Sequence, residues 1–115
     1  MQPLIQVCKC MSDPVSVRIV NILLYKDLKI NQIQRITQEG RRTIDARLAK
    51  MRECNILTSE QDGRWLRWSL TDNGRAIARS LIEPHRESVE WDPQVTADME
   101  RLKREMNLPE TARDN

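Results

Sequence analysis

The sequence has few of the residues on which enzymes and disulfide-bonded proteins depend. Only three of its 115 residues are cysteine, and so small and odd a number argues against a disulfide scaffold. Its single histidine, His85, follows a proline and is typical of a loop. We find no glycine-rich phosphate loop, no paired-carboxylate spacing and no Ser/His/Asp set. The sequence therefore predicts a protein that is not an enzyme.

Long apolar runs are also missing. No run approaches the roughly 18 apolar residues that span a bilayer. The N-terminal stretch MQPLIQVCKCM lacks the basic region and long apolar segment of a signal peptide. We expect a cytoplasmic protein with no membrane segment.

Charge is unevenly distributed along the chain. Residues 1–82 carry 14 Lys/Arg against 8 Asp/Glu, whereas residues 83–115 carry 5 against 9. Only the first part is suited to face a polyanion. The shift suggests a domain at 1–82, followed by an acidic linker and helix at 83–115.

Helix signals dominate the first forty residues and the end of the chain. We predict one helix from Pro3 to Met11 and a second from the Ser12-Asp13-Pro14 start to Tyr25. A third follows a cap at Asn31, and another runs from Asp72 to Ile82 after a cap at Thr71. The last helix is predicted at 94–106, with Thr96 as its capping residue. A short strand is expected at 28–30, a turn with a permissive Gly40 at 38–40, and a loop between Ile82 and the last helix.

A helix at 41–54 and a hairpin follow the turn at Gly40. Ile44, Leu48 and Met51 form one apolar stripe of the helix, and Asn55 suits a left-handed residue at its end. The hairpin arms are 56–60 and 65–70, with Asp-Gly in the turn. This order of elements predicts a mainly α protein with a small β-hairpin (α+β), a winged helix-turn-helix with an added N-terminal and C-terminal helix.

Several motifs resemble those of the ArsR-like winged-helix repressors. They are Asp13-Pro14 with Arg18-Ile19-Val20, TIDARL at 43–48, RECNIL at 52–57, and Gly63-Arg64 with Trp68-Ser69-Leu70. The segment LTDNGR at 70–75 is similar to one in MarR-like and HxlR-like repressors. The family's metal-sensing cysteine positions hold Lys29 and Asn31 here, so the usual thiolate site is absent. The resemblance implies a dimeric, DNA-binding transcriptional regulator.

A helix fits the major groove of DNA, so helix 41–54 is expected to read it while wing 58–70 contacts the flanking backbone or minor groove. The candidate DNA-binding residues are Arg41, Arg42, Thr43, Ala46, Arg47, Lys50, Arg64, Trp65 and Arg67. We expect Trp65 to support Arg67 by stacking, and Trp68 to lie in the core. A plain solvated basic face is the simpler alternative for these arginines.

Two further expectations concern partners and cofactors. A homodimer is predicted through the N-terminal helix and the Val95–Met106 seam of helix 94–106. No cofactor is expected, although Cys8, Cys10 and Cys54 could bind a soft ion such as As(III), Cd or Zn. Buried or incidental cysteines are the main alternative, and a redox switch is another.

Two other functions remain open from the sequence. One is an unregulated winged-helix DNA-binding factor, such as a plasmid-partition or architectural protein. The other is a winged helix that docks on an acidic protein partner. Low net charge and Asp45 in helix 41–54 keep this docking function open.

Overall fold

The computed structural model describes residues 1–107, which form seven helices, one 3₁₀ turn and three strands. In chain order they are α1 Gln2–Met11, α2 Pro14–Leu23, β1 Leu28–Lys29, α3 Ile30–Thr37, α4 Arg41–Glu53, β2 Leu57–Asp62, β3 Trp65–Leu70, α5 Asp72–Leu81, the 3₁₀ turn Glu83–His85, α6 Arg86–Trp91 and α7 Pro93–Asn107. The predicted fold class is confirmed. The predicted span of residues 108–115 lies outside the described residues.

Two predicted helix caps are confirmed. The Asp13 carboxylate accepts a hydrogen bond of 3.0 Å from the Ser16 backbone N–H at the start of α2. The Thr71 hydroxyl accepts one of 2.8 Å from the Gly74 N–H at the start of α5. Both side chains satisfy donors that the first helical turn leaves without an intrahelical partner.

Other local predictions are wrong. Lys29, not Asn31, precedes α3, and its N–H donates to the Gln32 side chain at 2.8 Å. Gln38, with a φ of 59°, supplies the left-handed residue before α4, whereas Gly40 has an ordinary φ of −65°. α7 begins after Asp92, whose carboxylate accepts from the Gln94 N–H at 2.8 Å. This cap precedes Thr96 by four residues.

The predicted loop after Ile82 is also wrong, because the 3₁₀ turn and α6 occupy it. Helix α6 has only six residues, and none of them is buried. A helix so short and exposed has almost no apolar period, so the sequence pattern did not reveal it.

The three strands form one antiparallel sheet in the order β1-β3-β2. Asp62 pairs with Trp65, so the turn consists of Gly63 and Arg64 alone. Gly63 has a φ of 64°, which suits glycine at the tight end of a hairpin. The hairpin tip is therefore narrow, and β1 fixes its base through the pairing of Leu28 with Trp68.

α7 packs on the chain's own α2 and α3. Its Val95 and Leu102 are buried, Met99 is half-buried and packs on the core, and Met106 is exposed. The seam expected to face a second copy is thus largely occupied within the chain. The narrow seam predicted packing on one other helix, whereas α7 packs on both α2 and α3 of its own chain.

One buried and one partly buried ion pair hold α7 in place. The Arg18 guanidinium on α2 donates to both carboxylate oxygens of Asp98 on α7, each at 2.8 Å, and to the Thr37 carbonyl at 2.7 Å. Arg35 on α3 makes a similar pair with Glu105, at 2.8 and 3.2 Å. α7 is therefore tied to the end of α3, where the chain turns towards α4.

Candidate nucleic-acid interface

Helix α4 has one buried and one exposed face. The predicted stripe of Ile44, Leu48 and Met51 is fully buried. Arg42, Ala46 and Lys50 are exposed, as a position opposite the stripe requires. The exposed face of α4 thus carries two long cationic side chains with a small residue between them. The small residue allows a binding partner to approach the helix backbone closely.

The remaining candidates on α4 have intramolecular partners or are half-buried. Arg41 bonds the Asp45 carboxylate at 3.1 Å, an exposed pair one helical turn apart. Arg47 bonds Asp13 at 2.8 Å and so joins α4 to the start of α2. Thr43 is half-buried. Arg47 therefore already has a structural role within the chain.

The contact with Arg47 lowers the pKa of Asp13. Burial raises the pKa of Asp13, but hydrogen bonds from Arg47 and Ser16 outweigh it and leave that pKa below its usual value. The Asp13 carboxylate stays ionised well into acid.

The wing carries its cations differently from the expectation. Arg64, rather than Arg67, lies over the Trp65 ring, with its guanidinium carbon 5.8 Å from the ring centre. Arg67 bonds the Asp62 carboxylate across the hairpin at 2.7 Å. Trp65 and Arg67 lie on the same face of β3, but the Arg67 guanidinium pairs with Asp62, and Arg64 in the turn stacks on the indole.

The region between α4 and the wing contains a contact that the sequence did not reveal. Arg52 lies over the Trp68 ring at 5.3 Å and donates to the Ser59 hydroxyl at 3.3 Å. Trp68 is buried, as predicted. Arg52 thus bridges the C-terminal end of α4 to both strands of the hairpin.

The three cysteines are not brought together. Cys8 is exposed, whereas the sulfurs of Cys10 and Cys54 lie 3.3 Å apart. Within residues 1–107, no three His, Cys, Asp or Glu side chains gather as metal ligands.

The same part of the chain has no helix long and apolar enough to cross a bilayer.

A helix-turn-helix of α3 and α4 followed by the β2–β3 hairpin, closed by β1, defines the winged helix-turn-helix fold. Solved structures confirm that fold. The homodimeric winged helix-turn-helix DNA-binding domain of Mb0332 from Mycobacterium bovis, a possible ArsR-family regulator, has a TM-score of 0.69 and 13% identity, covering 77% of this chain and 83% of that one. The repressor BigR from Xylella fastidiosa has a TM-score of 0.62 and 18% identity over 70% and 84% of the two chains.

An ArsR-like transcriptional regulator from Rhodococcus sp. RHA1 also superposes, with a TM-score of 0.61 and 22% identity over 84% of this chain and 89% of that one. The predicted resemblance to ArsR-like regulators is thereby confirmed at the level of the fold. No protein-family model matches the sequence, and no curated protein matches it.

Proposed function

We propose that this protein is a DNA-binding transcriptional regulator of the ArsR type, acting as a homodimeric repressor. The observation that carries the proposal is the outer face of α4. There Arg42 and Lys50 are exposed and have no ion-pair partner among the described residues, on a helix anchored by a fully buried stripe. A helix presented in this way suits the major groove, with Arg42 in its first turn near base edges.

The wing supplies the second contact. Arg64 stands at the hairpin tip, and its stacking on Trp65 limits the freedom that binding would otherwise remove. An arginine so held suits a phosphate or the minor groove. Arg67 and Arg47 support this surface by fixing the hairpin and the angle of α4, through Asp62 and Asp13 respectively.

A homodimer is proposed through α1 and its neighbour α5. Leu4 of α1 is 61% exposed and Leu81 of α5 is 46% exposed. The proposed contact uses these exposed side chains and leaves the groove of about 780 Å³ between the two helices, with Val7 and Ile77 in its walls, open to solvent. Two-fold pairing there would present two α4 helices to half-sites about 34 Å apart.

The functions named for the structural relatives support this proposal over the other two. Mb0332 is described as a DNA-binding homodimer and BigR as a repressor. The Arg41–Asp45 pair also supplies an intramolecular partner for the acidic residue that favoured docking on a protein.

The first test selects DNA from a pool of randomised duplexes with the purified protein. The enriched duplex is then titrated by fluorescence anisotropy against its scrambled version at two salt concentrations. We expect specific binding whose affinity falls steeply with salt, and a footprint with one dyad. An extended footprint without a dyad would favour the partition or architectural function, and no enrichment would favour docking on a protein.

Variants locate the interface. Arg42→Ala should weaken binding to the selected duplex by about 1–3 kcal/mol and relax its sequence preference. Arg64→Ala should weaken binding to every duplex alike and reduce the salt slope by about one. Lys103→Ala removes the same charge from an exposed site on α7 and serves as the matched control. Equal effects of all three would refute the assigned interface.

A further inference from the structure

Two thiols on different helices lie in contact. Cys10 is in the last turn of α1, and Cys54 ends α4. Their sulfurs are 3.3 Å apart across 44 residues of sequence. A disulfide has an S–S distance of about 2.05 Å, so its formation requires a movement of only about 1 Å.

The two sulfurs differ in access. Cys10 is 5% exposed, and its thiol points towards the Lys50 carbonyl at 4.0 Å. Cys54 is half-buried and lies in the wall of the groove of about 780 Å³ between α1, the end of α4 and α5. A small reagent in this groove therefore meets Cys54 first.

We propose that Cys10 and Cys54 form an oxidisable dithiol, and that its disulfide ties α1 to the end of the DNA-reading helix α4 and weakens DNA binding. The effect on DNA rests on the proposed function, whereas formation of the bond does not. The oxidant belongs to the hydroperoxide class.

The chemistry takes two steps. The Cys54 thiolate attacks one peroxide oxygen, the O–O bond breaks, and hydroxide or alkoxide leaves, which converts Cys54 to a sulfenic acid. The Cys10 sulfur then attacks the Cys54 sulfur, and the sulfenic hydroxyl leaves with the Cys10 proton as water. The two thiols lose two electrons in all, and one peroxide gains them.

The environment of Cys10 fits the second role. Burial and the contact with Cys54 raise the pKa of the Cys10 thiol to about 11. Cys10 is therefore protonated at neutral pH and protected from direct oxidation. Its thiol lies 3.3 Å from the Cys54 sulfur that the oxidant modifies.

The bond would join the two helices that the proposed function uses for different purposes. α1 contributes to the dimer contact and α4 to the DNA contact. A tether at the C-terminal end of α4 limits how that helix can settle into the groove of DNA while the dimer holds α1. We expect a loss of operator affinity of at least about five-fold, within the usual range of coupling between two sites.

The experiment treats the purified full chain with equimolar hydrogen peroxide, then alkylates the free thiols and measures the intact mass. We expect the three alkylated cysteines of the reduced protein to fall to one, with a Cys10–Cys54 link in the peptide map, and full recovery after a dithiol reductant. Cys8→Ser should still form the link, whereas Cys10→Ser and Cys54→Ser should not. Oxidation that instead joins two chains through Cys8, or stops at a sulfinic acid, would overturn the proposal.

Stability and DNA binding are measured on the same samples. The cross-link should raise Tm on the order of 10 °C in wild type and leave Cys10→Ser unchanged. If the link forms but operator affinity stays the same, the proposed regulation is refuted and the disulfide only stabilises the fold. A protein that binds no duplex in either form would refute the proposed function, while the mass and Tm results would still decide whether the dithiol exists.

Discussion

Asp98→Ala should be among the most destabilising single changes in the chain. Asp98 is 1% exposed, and its carboxylate is the bidentate partner of Arg18, which is 4% exposed. The variant would leave the guanidinium buried with only the Thr37 carbonyl and the more exposed Glu39 carboxylate, which is 3.3 Å away.

The magnitude follows from the cost of an unpaired buried charge. Removing one partner of a buried ion pair costs about 3–5 kcal/mol. Glu39 remains near Arg18 and screens part of the charge, which places the expected loss near the lower figure. For a chain of this size such a loss lowers Tm by on the order of 10 °C.

Urea unfolding followed by circular dichroism measures the free energy of unfolding. Glu100→Ala is the matched control, because Glu100 is an exposed acid on the same helix. Replacing both partners, as Arg18→Met with Asp98→Leu, should recover much of the loss, since no charge is then left buried. A loss for Asp98→Ala no larger than that of Glu100→Ala would refute the reasoning.

Three further perturbations test other contacts. Gly74→Ala places a Cβ 2.1 Å from the Ile56 carbonyl oxygen and should cost about 1–3 kcal/mol in urea unfolding, whereas an unchanged stability would contradict this contact. Because the pKa of Asp13 is depressed in the folded chain, its contribution to stability is fully present above the unfolded pKa of about 3.9 and is lost as pH falls through the lower folded value. Asp13→Asn should therefore remove this part of the acid dependence of Tm in thermal scans at different pH values. Trp68→Ala should cost about 3–5 kcal/mol because the ring is buried in the core, and a smaller cost in the same assay would mean that the site collapses around the cavity.

Sequence patterns revealed the features that depend on neighbours along the chain. The buried stripe of α4 follows from a spacing of four and three residues, and Thr71 caps α5 through an N–H three residues on. The left-handed φ of 59° at Asn55 was likewise predictable, since asparagine tolerates that backbone at the end of a helix.

Features that depend on distant residues were not predictable. Arg47 has the composition of a DNA contact, yet Asp13, which lies 34 residues earlier, binds its guanidinium. The apolar seam of α7 fits a second copy as well as it fits the chain's own α2 and α3. Only the three-dimensional position of Asp98 and Glu105, which bond Arg18 and Arg35, decides in favour of the chain. The left-handed residue before α4 is Gln38 rather than Gly40, because local preference alone does not fix which residue of a turn reverses the chain.

The close approach of Gly74 to the Ile56 carbonyl fixes the position of the wing relative to α4. That carbonyl lies between the end of α4 and the start of the wing, and it also accepts the Thr71 N–H at 3.0 Å. Any side chain at position 74 would displace the Ile56 carbonyl. The distance between α4 and the hairpin is therefore set by a direct contact between two backbone segments. If the proposed function holds, substitutions on the exposed face of α4 can exchange one preferred base sequence for another, while the separation between α4 and the wing stays constant.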